Sequence, residues 1–435
     1  MAPVLGFIGM THLGLNSAAA TAERGFETVC FDPDSDLILA LRRGEMPVRE
    51  PDLDDFCARN SEHLSFTDKP TELARCDVVY VAPDVPTDDT GASDLSPVIR
   101  YIELANEVLR DDAVLVVLSQ LPPGFIRPYA DTRQHLFYQV ETLIFGRAVE
   151  RAMYPERFIV GCKDPAGPLP ESYSRFLEAF DCDILPMRYE SAELAKISIN
   201  CCLVAAVTTA NTLAELCERI GADWREIVPA LRLDRRIGQF AYIDAGLGIA
   251  GGNLERDLHT VIRFAEEEGT DADVVRAWVK NSEYRKDWVL KILHDILLGE
   301  KGEDARVGVL GLAYKQDTHS TKNSASVRLL RSIRPFDVRV HDPVVTFDTD
   351  WHPSAVQCDV AEDVADQADA VVLMTPWAVY KDIAPANLSS RMRGKLVVDP
   401  FSVLDEGEAR AAGLDYVRLG ALPDAIRRRT GRVLP

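Results

Sequence analysis

The chain has 435 residues, 47% of them hydrophobic, with 69 acidic against 48 basic side chains and a net charge of −21. At roughly 150 residues per domain that length holds two or three cores, and the negative field repels polyanions and acidic membrane surfaces, so nucleic acid is excluded as an expected partner. Nine cysteines, an odd and scattered set without CxxC spacing, are expected as reduced cytosolic thiols and not as metal ligands.

The start, "MAPVLGFIGM", enters a strand-like run without a basic region or cleavage site, so no signal peptide is expected. No apolar stretch is read as reaching the roughly 18 residues that span a bilayer, which makes the expected location cytoplasmic. "VLGFIG", "TVCFD", "DVVYVAP", "AVLVVLS" and "RFIVG" are short β-branched runs separated by helical patterns, the grammar of βαβ units and a parallel sheet. From Tyr189 some thirty residues pass without Gly or Pro, predicting one long helix closed by Gly221. Strand–helix alternation returns with "ARVGVLGLAYK", "DVRVHDP", "ADAVVLMT" and "KLVVDP". The expected fold is α/β: two Rossmann-like, doubly wound parallel-sheet domains joined by a helical central domain. The domains are placed at 1–187, 188–298 and 299–435. Arg427, Arg428, Arg429 and Arg432 near the end read as a solvated tail.

"GFIGMTHLG" carries the dinucleotide signal. Gly9 ends the first strand and permits the sharp bend, Gly14 lets helix and strand pack closely, and the helix start faces a pyrophosphate. Asp32, closing the second strand, would accept hydrogen bonds from a ribose diol and repel a 2′-phosphate, which selects NAD over NADP. Thr11 stands where GxGxxG has its second glycine, so its Cβ must be accommodated beside the phosphates. The C-terminal "GVLGLAYK" has the same strand–turn–helix order but lacks a third glycine and an acidic partner at the right distance; it reads as a nucleotide-handling domain and not a second NAD site. His12, His319 and His341 show no ligand spacing and are expected in loops or at strand ends.

The motifs converge on one resemblance. "RRGEMPVREPDLDD", "VPTDDTGASDLSPV", "SQLPPGF", "AELAKISIN", "LDRRIG", "GIAGGNLERD", "GLAYKQDTHSTKNS" and "MTPW" stand in the order of the UDP-glucose/GDP-mannose dehydrogenase family, and the chain resembles it nearly end to end. The resemblance implies NAD as cofactor, a nucleotide-diphosphate sugar as substrate and a homodimer built on the central helix. It implies that Gly9, Thr11, Gly14, Asp32, Pro86, Thr87, Ser119, Gln120 and Lys322 meet the cofactor. Lys196, Asn200, Arg236, Gly248 and Lys315 meet the substrate, Arg236 from the neighbouring subunit.

Enzymes of that family typically oxidise a primary C6 alcohol twice, through a thiohemiacetal and a thioester on a cysteine. Here that cysteine falls on Asn253, the threonine thought to hold the hydrolytic water on Gln120, and the second glutamate of a two-acid segment on Phe145, leaving Glu141. Lys196 and Asn200, four apart on a helix, share a face; the resemblance makes them the groups that hold the reacting hydroxyl, with Asp257 tuning Lys196 or a water. Arg256 replaces a lysine and Lys322 an arginine. Cys201 and Cys202 are turned away from Asn200 by about 100° per residue and are expected to be packing. Asn253 cannot form a covalent adduct, so the expected reaction is a single hydride removal. A secondary C6 carbinol going to a ketone, as in nucleotide-linked octoses of antibiotic biosynthesis, needs no thiol. The competing expectations are oxidation of a primary alcohol that stops at the aldehyde, and a catalytically silent nucleotide-sugar-binding protein.

Overall fold

The computed structural model describes residues 2–86, 93–298 and 304–423. Thr87 and the arginine-rich tail lie outside the described residues. The chain divides into two compact units, Met1–Ile199 and Asn200–Pro435.

The first unit holds eight strands: β1 (Leu5–Ile8), β2 (Thr28–Phe31), β3 (Leu64–Thr67), β4 (Val78–Val81), β5 (Val114–Val117), β6 (Leu136–Gln139), β7 (Arg157–Cys162) and β8 (Asp183–Arg188). They lie in the order β3-β2-β1-β4-β5-β6-β7-β8, parallel except between β6 and β7. β1, β2, β4 and β5 are buried at every position, as strands covered by helices on both faces must be. Alternation sorts their side chains into two cores. Phe7, Tyr80, Val114 and Val116 pack on one face; Ile8, Val79, Val81 and Leu115 pack on the other. The five runs read as strands from their composition are strands here. β3, β6 and β8 add to them; β8 is an edge strand with Pro186 and largely exposed residues, where a missing N–H is tolerated.

Helix α1 (His12–Glu23) is buried almost all round. Its alanines, Ala18, Ala19, Ala20 and Ala22, are all fully buried, and their small size lets the helix lie close on the sheet while favouring helix.

In the second unit β9 (Arg306–Leu310), β10 (Asp337–His341), β11 (Val356–Gln357), β12 (Ala370–Leu373), β13 (Leu396–Val398) and β14 (Asp415–Val417) form a six-stranded sheet in the order β11-β10-β9-β12-β13-β14. Every pairing in it is parallel. Both sheets therefore carry the doubly wound order, and the two-Rossmann expectation holds. One detail is corrected: an acidic residue does close the second strand of this sheet. Asp342 follows β10 directly, but its carboxylate accepts from the Leu312, Ala313, Val344 and Val345 amides and from Trp377 Nε1, at 2.7–3.1 Å. It is spent on stapling the turn.

The long helix, α2 (Tyr189–Ile220), runs as predicted and ends at Gly221, which takes φ +80°. Residues 197–214 contain no charged side chain. Contrary to the expectation of no such stretch, this is the one helix among the described residues long and apolar enough to cross a membrane by length and composition. Asn200, Thr208, Asn211 and Glu218 are nevertheless buried along it. The Thr208, Thr209 and Thr212 hydroxyls bond back to the carbonyls of residues 204, 205 and 208 at 2.8 Å, which satisfies them within the helix. Further helices of this unit are α3 (Trp224–Leu233), α4 (Asn253–Glu268), α5 (Asp273–Lys286) and α6 (Ala325–Ser332).

Candidate active site

In the first unit the turn from β1 to α1 has the cradle geometry read from its glycines. Gly9 takes φ +94°, open to glycine at little cost. At Gly14 a Cβ would sit 1.9 Å from the Gly9 carbonyl oxygen, so no other residue fits. Asp32 is buried; its Oδ2 accepts from Met10 N at 2.8 Å and its Oδ1 from Asp34 N at 3.0 Å, holding the turn from the end of the next strand. Thr11 is the N-cap of α1 in an extended conformation, and its hydroxyl accepts the Asp84 N–H at 2.8 Å. Its Cβ is thus accommodated. Ser119 is buried behind the cradle, donating to the Pro83 carbonyl at 2.6 Å, while Gln120 is half-buried just beyond β5 and Pro86 is exposed. The cradle and the paired Asp32 fit a dinucleotide.

His12 is not a loop residue. It is the first residue of α1, buried, with Nε2 2.7 Å from Glu50 Oε1 and its ring against that of Phe145, 4.1 Å between centroids and tilted by 31°. Glu50 also accepts from Gly146 N at 2.9 Å and Ala148 N at 3.1 Å. Burial alone would raise its carboxyl, but these bonds and His12 hold it below the usual glutamate range. The segment in which one expected acid is replaced by Phe145 is therefore anchored to α1 by Glu50. No local spacing links positions 12, 50 and 146, which is why the sequence did not show it.

Lys196 and Glu141 meet. Nζ lies 2.9 Å from Glu141 Oε1 and donates to the Glu141 carbonyl oxygen at 3.1 Å, and both side chains are mostly shielded. Glu141 Oε2 accepts from Leu143 N at 2.9 Å. One turn earlier on α2, Glu193 is fully buried and takes the Gly124 and Ile126 amides at 2.6 and 2.8 Å. Its carboxyl is pushed up to about 7, burial outweighing those two bonds. Sequence reasoning passed over this residue.

In the second unit Asn200 and Asp257 meet: Asn200 Nδ2 donates to Asp257 Oδ2 at 2.5 Å, and Arg256 Nε reaches Asp257 Oδ1 at 3.3 Å, all three buried. The glycine loop ahead of α4 is fastened on two sides. Gly248 takes φ +82°, where a Cβ would meet the Ser282 carbonyl at 2.5 Å, and Ile249 N donates to Ser282 Oγ at 2.7 Å. Gly251 N donates to the Lys322 carbonyl, and Gly251 O accepts from Asn323 Nδ2, both at 3.0 Å. Asn253, the first residue of α4, is exposed. A Cβ on the preceding Gly252 would sit 3.4 Å from Lys322 Cδ. Lys322, expected from the resemblance to meet the cofactor, is thus brought alongside the Asn253 loop.

Cys201, next to Asn200, is half-buried, and burial with the Asp257 charge pushes its thiol up to about 11. It offers no thiolate near neutrality. Cys202 is exposed. Lys315 follows β9, half-buried, with Nζ 5.8 Å from the Tyr314 ring centre. Arg236 is not brought to this cluster; its side chain is 89% exposed and pairs with Asp234 at 2.6 Å. His341 ends β10 as expected, against Tyr380.

Three family models match the chain: the UDP-glucose/GDP-mannose dehydrogenase NAD binding domain over residues 4–173, the central domain over 190–283 and the UDP binding domain over 308–406. Over 95% of its length the chain is 31% identical to the UDP-glucose 6-dehydrogenase of Pseudomonas aeruginosa, covering 96% of that protein. It is 26% identical to the UDP-glucose 6-dehydrogenase TuaD of Bacillus subtilis, over 95% of this chain and 92% of the other. The solved UDP-glucose dehydrogenase of Pyrobaculum islandicum superposes with a TM-score of 0.81 at 28% identity, over 96% of this chain and 97% of that one.

Proposed function

The chain belongs to the UDP-glucose/GDP-mannose dehydrogenase family of NAD-dependent nucleotide-sugar dehydrogenases, and on that premise we propose that it removes a single pair of electrons from its sugar. The substrate alcohol is secondary, at C6 of a UDP- or GDP-linked sugar extended beyond a hexose, and the product is a ketone. One observation carries this reading: Asn253 stands exposed at the start of α4 while Lys196, Asn200 and Asp257 are retained, each engaged by a partner.

NAD, held by the turn Gly9–Gly14 and Asp32, supplies the hydride acceptor when bound. The chain's own residues do the rest. Asn200 has two amide donors. One is committed to Asp257, which fixes the way the amide faces and leaves the other for the substrate oxygen. Lys196, one turn away on α2, presents an ammonium to the negative charge that develops on that oxygen as its proton leaves to a water held by Asp257. Glu141 positions the ammonium through its carboxylate and its carbonyl. Asn253 donates a hydrogen bond to the sugar and forms no bond to carbon. The oxidised carbon ends as C=O, with one hydride and one proton lost. An acid would need a covalent adduct or a hydrated aldehyde and a second hydride.

Residues 1–187 serve the cofactor, 188–298 form the helical part and 299–435 take the nucleotide diphosphate, with Lys315 supplying local positive charge in an acidic protein. Leu213, Leu216 and Ile220 form an apolar stripe on α2, 41%, 51% and 56% exposed. Their spacing supports burial against a second copy, which would also present Arg236 to a neighbouring site.

The test is to incubate the protein with UDP- and GDP-linked hexoses and longer sugars and count NADH per sugar consumed. One equivalent and a ketone are expected. Two equivalents with a uronate overturn the reading; one equivalent with an aldehyde keeps the electron count and moves the oxidation to a primary alcohol.

A further inference from the structure

The two amides that open α1 are already engaged. Asp84, from the loop after β4, places Oδ2 3.0 Å from His12 N and Oδ1 3.3 Å from Leu13 N. Its own N–H donates to Thr11 Oγ at 2.8 Å. The clasp is reciprocal: the helix start binds the carboxylate, and the N-cap hydroxyl binds the amide of the same residue. Its base is rigid, because Pro83 packs on Gly9 so closely that a Cβ there would lie 3.0 Å from the Pro83 Cα. A glycine at position 11 would have no hydroxyl to give, so Thr11, the break in the glycine pattern, is half of this device.

The first amides of the helix after a glycine turn are the donors that a dinucleotide's pyrophosphate uses. Each N–H bonds one strong acceptor well, and two anions at one helix end repel. We propose that Asp84 is a resident anion in the diphosphate seat, so that NAD binds by displacing this carboxylate, and that Asp84 and Thr11 together set the affinity for the cofactor. The residue as a whole is exposed, while its carboxyl, seated on the helix start, is shielded enough that burial raises it above the usual aspartate range, so its release into water relieves a desolvated charge. The inference rests on NAD as cofactor and not on the identity of the sugar or the number of electrons removed.

The experiment measures NADH, ADP and adenosine binding to the whole protein without any sugar, by fluorescence and calorimetry, for the unmodified chain and for Asp84→Ala, Asp84→Asn and Thr11→Ala. Clearing the seat is expected to tighten NADH and ADP by about tenfold or more in Asp84→Ala, less in Asp84→Asn and least in Thr11→Ala, with adenosine unchanged within about twofold. Asp84 variants with an unchanged melting temperature that bind NADH no tighter overturn the proposal. Equal tightening of adenosine also overturns it, since the effect would then not be on the phosphates, as does failure of every form to bind NADH. A wrong reading of the sugar leaves all of these measurements untouched.

Discussion

Lys196 Nζ touches Glu141 twice, at the carboxylate oxygen Oε1 and at the backbone carbonyl oxygen, 2.9 and 3.1 Å away. A flexible lysine held at two points of one residue has little freedom left, which is how a point charge is aimed. Lys196→Ala is expected to abolish turnover while NADH binding stays intact. Glu141→Gln keeps the carbonyl contact and loses the charge, so kcat is expected to fall about 10- to 100-fold, with a smaller change in KM. Steady-state kinetics check both; a fully active Lys196→Ala removes that residue from the mechanism.

Asn253 is exposed and forms no covalent intermediate in the proposed reaction. Asn253→Ala is therefore expected to retain activity within about tenfold, the cost of a lost hydrogen bond to substrate. A loss of about a thousandfold or more would assign it a role in the chemical step. In Asn253→Cys the thiol lies at a helix start, where its ionisation is favoured, and it is expected to alkylate with iodoacetamide faster than any native cysteine.

Asp257 holds two partners, Asn200 and Arg256, and is 2% exposed. Asp257→Asn leaves the buried Arg256 guanidinium without that countercharge, and the expected loss of stability is about 3 kcal/mol, read from urea denaturation. Turnover is expected to fall further than for Asn200→Ala, because the substitution releases the amide's orientation as well as the charge. Stability unchanged within about 0.5 kcal/mol would show that the pair is dispensable.

Glu193 supplies a pH signature. Its folded carboxyl sits at about 7 against an ordinary 4.5, so the folded chain holds the proton more tightly than the unfolded one. The associated stability is complete below about 4.5 and is lost as the pH rises through about 7, up to about 3 kcal/mol in total. Denaturation midpoints measured from pH 4.5 to 8 should decline over that window. In Glu193→Gln the decline should flatten, at the cost of one of the two amide bonds to Gly124 and Ile126. An unchanged slope assigns the pH dependence to another group.

The strands legible in the sequence were those with unbroken β-branched runs, such as "VLVV" at 114–117, because burial on both faces demands an apolar residue at every position. β3, with two half-buried residues in "LSFT", and the exposed edge strand β8 carry no such run, and they became strands only by pairing with neighbours. The apolar core of α2 was legible as helix but not as a segment of membrane-spanning length, because Asn200 and the threonines broke the run to the eye while contributing no charge.

Local constraints were determined by the sequence itself: Gly9 and Gly14 at the cradle, the long helix ended by Gly221, the absence of a thiol at position 253. Each depends on backbone sterics or on the chemistry of one side chain, which neighbours cannot alter. What only the tertiary structure decided was the partner of each charge. His12 met Glu50, Lys196 met Glu141, Asn200 met Asp257, and Asp84 came to the start of α1, across separations of 38, 55, 57 and 72 residues. A polar group's partner is chosen by the folding of elements far apart in the chain and by the demand that shielded groups be satisfied, and no pattern of neighbouring residues encodes that choice.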